Sequence, residues 1–173
     1  MKSMAIRPIL LLGNPLLRAV SRPAANPAEA LPVLADLEDT LAEFRRNHGF
    51  GRGISAIQIG VDLRIIFLCV DGVRYELINP IYLERSAESF ELWDDCFSFP
   101  DLMVWLRRAS TVRIQYLDPS GALRELTAHG SLSELIQHEM DHLDGVLAID
   151  HAIGRDSLAL RAELIRQKQL KQT

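Results

Sequence analysis

The chain has 173 residues, 48% hydrophobic and 24% charged, enough apolar material for one domain spanning 1–173 with its own core and too much for a disordered chain. Its formal charge of -4 excludes a protein that grips nucleic acid over its whole surface, and DNA is not an expected partner. Two cysteines, Cys69 and Cys96, are too few for a disulfide framework.

The apolar run Ile9–Leu12 stops at Gly13-Asn14-Pro15, short of a signal-peptide core. No stretch approaches the roughly 20 apolar residues of a membrane-spanning helix, so a cytoplasmic protein without a membrane partner is expected. Asn26-Pro27 offers a cap and a first-turn proline, and Leu31, Leu34, Leu37, Leu41 and Phe44 recur at helical spacing; an amphipathic helix is expected to end near His48-Gly49. A glycine-rich loop begins at Gly51, and Leu63–Val70 reads as a buried strand. Asp71-Gly72 suggests a type I′ hairpin into Tyr75–Ile78, after which Asn79-Pro80 is expected to turn the chain. Short strands follow at Ile81–Arg85, Val104–Arg108, Thr111–Leu117 and Leu123–Ala128, the last two joined through Asp118-Pro119-Ser120-Gly121. Ser131 and Glu134 form a capping-box pattern, predicting a helix over Leu132–Leu143, and a final helix is expected over Ser157–Leu170. The fold class is α+β, with mixed short antiparallel strands around a central helix.

That central helix carries His138-Glu139-Met140-Asp141-His142, an H-E-x-x-H pattern. Residues four apart share a helix face, so both imidazoles can converge on one cation, with Glu139 beside them to accept a proton from an activated water. A third ligand is needed. The long zinc-protease motif would put it at position 148, which is alanine, and His151 is out of register. Cys96 is the better candidate: its neighbours Asp94 and Asp95 disfavour a free thiolate, whereas a bound cation would overcome them. Cys69 reads as a packed strand residue, and His48, His129 and His151 as loop or surface residues.

Three motifs in fixed order then resemble the peptide deformylases. Gly51-Arg52-Gly53-Ile54-Ser55-Ala56-Ile57-Gln58, Asp94-Asp95-Cys96-Phe97-Ser98 and Gln137-His138-Glu139-Met140-Asp141-His142-Leu143-Asp144-Gly145 stand for G-x-G-L-A-A-x-Q, E-G-C-L-S and Q-H-E-x-D-H-L-x-G. The second departs most. Asp95 replaces a glycine that would allow positive φ, a region aspartate tolerates better than most residues. Ser55 adds a hydroxyl that needs a partner.

The resemblance implies hydrolysis of the N-formyl group from the initiator methionine of nascent polypeptides, releasing formate. It implies one divalent metal ion on Cys96, His138 and His142, with Fe(II) favoured and Zn or Ni as occupants of a purified sample. Glu139 is implied as general acid/base, the Gln58 amide and the Phe97 backbone N–H as stabilisers of the oxyanion, and Gly53 and Ile54 as substrate-binding residues. Leu135 and Ile136 are further candidates for a methionine-sized pocket. Asp94 is expected to pair with Arg108, and Asp141 with an imidazole or an arginine. The segment 155–173 is +3, leaving -7 for the rest, which fits a basic C-terminal helix contacting the ribosome. Two other readings stand beside this one, a metal amidase or peptidase with altered substrate and a non-catalytic ribosome-binding relative.

Overall fold

A computed structural model describes residues 6–169. Helix α1 (Pro27–His48) starts as expected: the Asn26 side chain accepts from the Glu29 N–H at 3.1 Å and Pro27 occupies the first turn. Its buried face is Ala30, Leu34, Leu37, Leu41 and Phe44. Leu31 is nearly half exposed, so Ala30 takes the core position assigned to it from spacing.

Two antiparallel sheets follow. Strands β1 (Gly53–Ser55), β2 (Ile65–Val70), β3 (Val73–Arg85), β6 (Thr111–Leu117) and β7 (Leu123–His129) form one, in the order β1-β2-β3-β6-β7. The other is β4 (Ser89–Asp94), β5 (Leu102–Ala109) and β8 (Leu158–Leu160), in the order β4-β5-β8. Strand β2 shows why its sequence is apolar throughout. Ile65 and Phe67 join the cluster under α1, while Ile66 and Leu68 join the cluster under helix α2 (Gly130–Leu143). A strand covered on both faces has no reason to alternate. Each fully buried Leu or Ile contributes about 1.5–3 kcal/mol over its exposed state.

Asp71 and Gly72 both take positive φ, 50° and 81°, as a type I′ hairpin requires. Asn79-Pro80 does not turn the chain. Strand β3 runs through it with a register shift between Ile78 and Ile81, a bulge that accommodates Asn79 at φ 53° and the proline that lacks an N–H. The bulge is held from outside the sheet, because the Asn79 side chain accepts from Ala24 N–H at 2.8 Å and donates to Ala24 C=O at 2.9 Å.

The expected capping box at Ser131 is not used. Helix α2 begins two residues earlier than expected, at Gly130, and its N-terminus has no side-chain cap. Ser133 Oγ instead donates to Ala109 C=O at 2.8 Å, fixing the helix to the end of β5. Nearly all of its last three turns are buried between the two sheets. The expected long C-terminal helix is replaced by β8 and a short helix α3 (Arg161–Arg166); Leu170, its expected end, lies outside the described residues. Exposed Leu158 and Leu160 alternate with half-buried Ala159, a strand pattern too short to outweigh the charged helix-forming run behind it. Among the described residues no helix is long and apolar enough to cross a membrane.

Candidate active site

The central feature is a buried meeting of three side chains from two distant segments. Cys96 lies in the loop between β4 and β5, and α2 supplies His138 and His142 from one face. Cys96 Sγ is 3.2 Å from His142 Nε2, which is 3.2 Å from His138 Nε2, and one donor atom from each residue lies within 4.8 Å of the others. Bonds of about 2.0–2.3 Å to one tetrahedral ion would set such donors roughly 3.5 Å apart. The geometry and the sulfur–imidazole chemistry therefore fit a divalent metal.

Charge in this cluster is arranged from behind. Asp94, at the end of β4, lies 3.0 Å from His138 Nδ1 and accepts from Arg108 at 3.1 Å. An ionised carboxylate can only accept, so Nδ1 carries the hydrogen and Nε2 keeps its lone pair for the cluster. Burial works against the Asp94 charge, but His138 and Arg108 outweigh it and hold the carboxyl down at about 2. Burial likewise opposes a proton on His138, yet Asp94 and Cys96 hold that ring well above its ordinary value, whereas burial and then His138 hold His142 well below it. A bound cation would displace the proton held on His138, so that both rings present a bare Nε2 to it.

Arg108 is itself buried and spans Asp94 and Asp141, donating to the latter at 2.5 Å. Both expected carboxylate contacts are thereby present. Asp141 also takes a hydrogen bond from His151 at 2.9 Å, so His151, read as a bystander, belongs to this network. His48 stacks on Phe44 with centroids 4.0 Å apart.

Gln58 sits in a turn directly after β1, only 1% exposed. Its Oε1 accepts from Ser55 N–H at 3.0 Å and from Ser55 Oγ at 3.2 Å, which aims Nε2 towards Cys96 Sγ at 3.7 Å and Ser98 Oγ at 3.3 Å. The hydroxyl introduced at Ser55 thereby has its partner. Glu139 is buried beside the cluster, and its Oε2 has no hydrogen-bond partner. Burial raises its carboxyl to about 7; His138 opposes the shift, and Asp94 and Glu134 add to it. A carboxyl poised there can both take and give a proton near neutral pH.

A cavity of about 470 Å³ opens onto these groups, lined among others by Gly53, Gln58, Leu135, His138 and Glu139, a volume suited to a small ligand. Gly53 must be small: a Cβ there would stand 2.6 Å from Leu68 and 3.0 Å from Glu139 Oε1. The Phe97 ring stacks on Phe44 with centroids 3.7 Å apart. It also covers Gly51, where a Cβ would lie 2.4 Å from the Phe97 ring. The side chains of Ile54 and Ile136 are fully buried in the two core clusters and do not line the cavity. Of the expected apolar pocket residues, Leu135 alone reaches it.

Asp95 keeps an ordinary backbone, since the non-glycine residues with positive φ among those described are Asp71, Asn79 and Lys168. Its carboxylate is neutralised by Arg161, whose guanidinium lies 3.9 Å over the Phe50 ring and donates to Pro100 C=O at 3.0 Å. Arg161 and a second ion pair, Arg52 with Glu134 at 2.7 Å, escaped the sequence reading. For Glu134 a signal was present, because it lies one helical turn before His138 and shares its face.

The model of the polypeptide deformylase family matches residues 6–157. The chain belongs to that family. A peptide deformylase of Mesorhizobium japonicum is 40% identical over 154 residues, covering 86% of this chain and 85% of the relative. One from Methylocella silvestris is 37% identical over 173 residues, covering 95% and 84%. Among solved structures, a peptide deformylase from Thermotoga maritima superposes with a TM-score of 0.80 at 29% identity, covering 86% of this chain and 99% of that one. The Synechococcus elongatus enzyme in complex with actinonin gives 0.81 at 26% identity, covering 98% and 91%. The chain is accordingly a metal-dependent hydrolase of the deformylase type acting on formylated nascent peptides, as its three motifs implied.

Proposed function

We propose that the formyl group of an N-formyl-methionyl peptide is hydrolysed over Cys96, His138 and His142, with Glu139 moving the proton. The convergence of those three donors beside a buried carboxylate with one unpartnered oxygen carries this reading. A divalent cation held by them would polarise the formyl carbonyl and lower the pKa of a water towards about 7. Glu139 takes the proton from the attacking water and returns it to the departing amine, so that formate and a free α-amine result.

Charge developing on the formyl oxygen is met by the Gln58 amide and the Phe97 backbone N–H. Gln58 is suited to this because Ser55 occupies its oxygen and leaves the N–H₂ end directed inward. Strand β1 is an edge of its sheet, so the backbone of Gly53 and Ile54 can pair with an extended peptide. Ile54 therefore contributes main chain only.

Mixed thiolate and imidazole ligands suit Fe, Zn, Co or Ni, and family resemblance favours Fe(II). Action on nascent chains supports a cytoplasmic location. The basic segment 155–173 supports a ribosome contact, although Arg161 and Arg166 are already paired with Asp95 and Glu163. Salt-sensitive co-sedimentation with ribosomes, lost on truncation after Arg166, would support it; unchanged binding would remove it. The hydrolytic reading is tested by incubating formyl-Met-Ala-Ser with anaerobically prepared Fe(II), Ni and Zn forms. Formate release with Fe(II) ahead of Zn is expected, and peptide-bond cleavage without formate would contradict it.

A further inference from the structure

Within the same cavity stands an ion pair that formyl hydrolysis does not use. Glu134 shares the face of α2 that presents His138, and its side chain is only 5% exposed. The carboxylates of Glu134 and Asp94 and the His138 ring approach within 4.8 Å of one another. Arg108 neutralises Asp94 from behind, while Arg52, in the glycine-rich loop, donates to Glu134 at 2.7 Å and to Ser131 C=O at 3.2 Å. Arg52, Glu134, Leu135 and Trp93 all line the cavity, and Arg52 keeps 38% of its side chain in solvent.

With the main chain along the β1 edge and the formyl carbon over the three donors, as proposed above, the cavity walls offered to a substrate's first side chain include Arg52, Trp93, Glu134 and Leu135. The wall there is half apolar and half ion pair. An apolar side chain pressed against Arg52 and Glu134 removes water from both and returns no hydrogen bond. A carboxamide of the same length returns both a donor and an acceptor.

We propose that Arg52 and Glu134 are specificity-determining residues that extend this enzyme's substrates to N-formyl peptides whose first side chain is unbranched and carries hydrogen-bonding groups. The inference rests on the deformylase reading above. Glutamine and methionine side chains are nearly equal in length, so the comparison of formyl-Gln-Ala with formyl-Met-Ala isolates polarity from size.

The test measures kcat/KM for both peptides with the Fe(II) enzyme, its Arg52→Leu/Glu134→Leu double variant, and Glu134→Gln. The native enzyme should favour methionine by no more than about tenfold, and the double variant should widen that ratio at least about tenfold further. Glu134→Gln, which keeps a donor and an acceptor, should stay near the native ratio. A native preference for methionine above about a hundredfold overturns the inference even if the double variant does not fold. So does a ratio that the double variant leaves unmoved. Absence of formate from both native reactions would instead overturn the deformylase reading, and this inference with it.

Discussion

The Asp94 carboxylate lies 3.0 Å from His138 Nδ1, and the same carboxylate takes a hydrogen bond from buried Arg108. One acid thus fixes the tautomer of the imidazole proposed as a metal ligand and is itself fixed by a cation tied to α2 through Asp141. Asp94→Asn keeps the shape and removes the charge. Metal affinity, read by competition with a chelator, should fall about 10–100-fold. Unchanged affinity would mean that the ring is oriented by packing alone.

Cys96→Ser replaces the one soft donor of the site. Metal content after dialysis should drop to a small fraction of the native value while the far-ultraviolet circular dichroism stays native, because the Cys96 side chain packs in a small cluster with Leu17, Val104, Leu106 and Leu147 rather than in either main core. Full retention of metal would place the third ligand elsewhere.

Gln58→Ala removes the amide proposed to meet the developing oxyanion and should lower kcat on the order of a hundredfold with little change in KM. It should also lower the melting temperature by a few degrees, because the buried Ser55 N–H loses its acceptor. Gln58 is therefore part of the fold as well as of the proposed chemistry. A fall in stability without a fall in kcat would limit it to structure.

Gly53→Ala puts a methyl group 2.6 Å from Leu68 and 3.0 Å from the Glu139 carboxylate. Strand β1 must move away from β2 or Glu139 must shift, costing about 1–3 kcal/mol in stability. Both the melting temperature and kcat/KM should fall. A native melting temperature with native kinetics would show that the edge is freer than these distances allow.

Much of this was legible from local pattern. The Asn26 cap, the stripe of α1, the apolar run of β2 and the spacing of His138 and His142 are all features that a short window contains. What was missed depends on residues far apart in sequence. The bulge at Asn79 is held by Ala24, the start of α2 by Ala109, and the pairing of Glu134 by Arg52. Glu134 was read as half of a capping box because that pattern is local; the nearby Arg52 exists only once the chain has folded. Strands β4 and β8 flank β5 and carry exposed residues on their outer faces, so neither has the apolar density that marked β2. Asp95 is similar: its partner Arg161 comes from the far end of the chain.

The most direct measurement compares formate release from a formyl-Met peptide by the Fe(II)-loaded enzyme and its Glu139→Ala variant under anaerobic conditions, with metal content determined for each. With metal retained in both, the variant should be slower by about 10²–10⁴-fold. Equal rates at equal metal occupancy would contradict the role given to Glu139 and, with it, the proposed path of the proton.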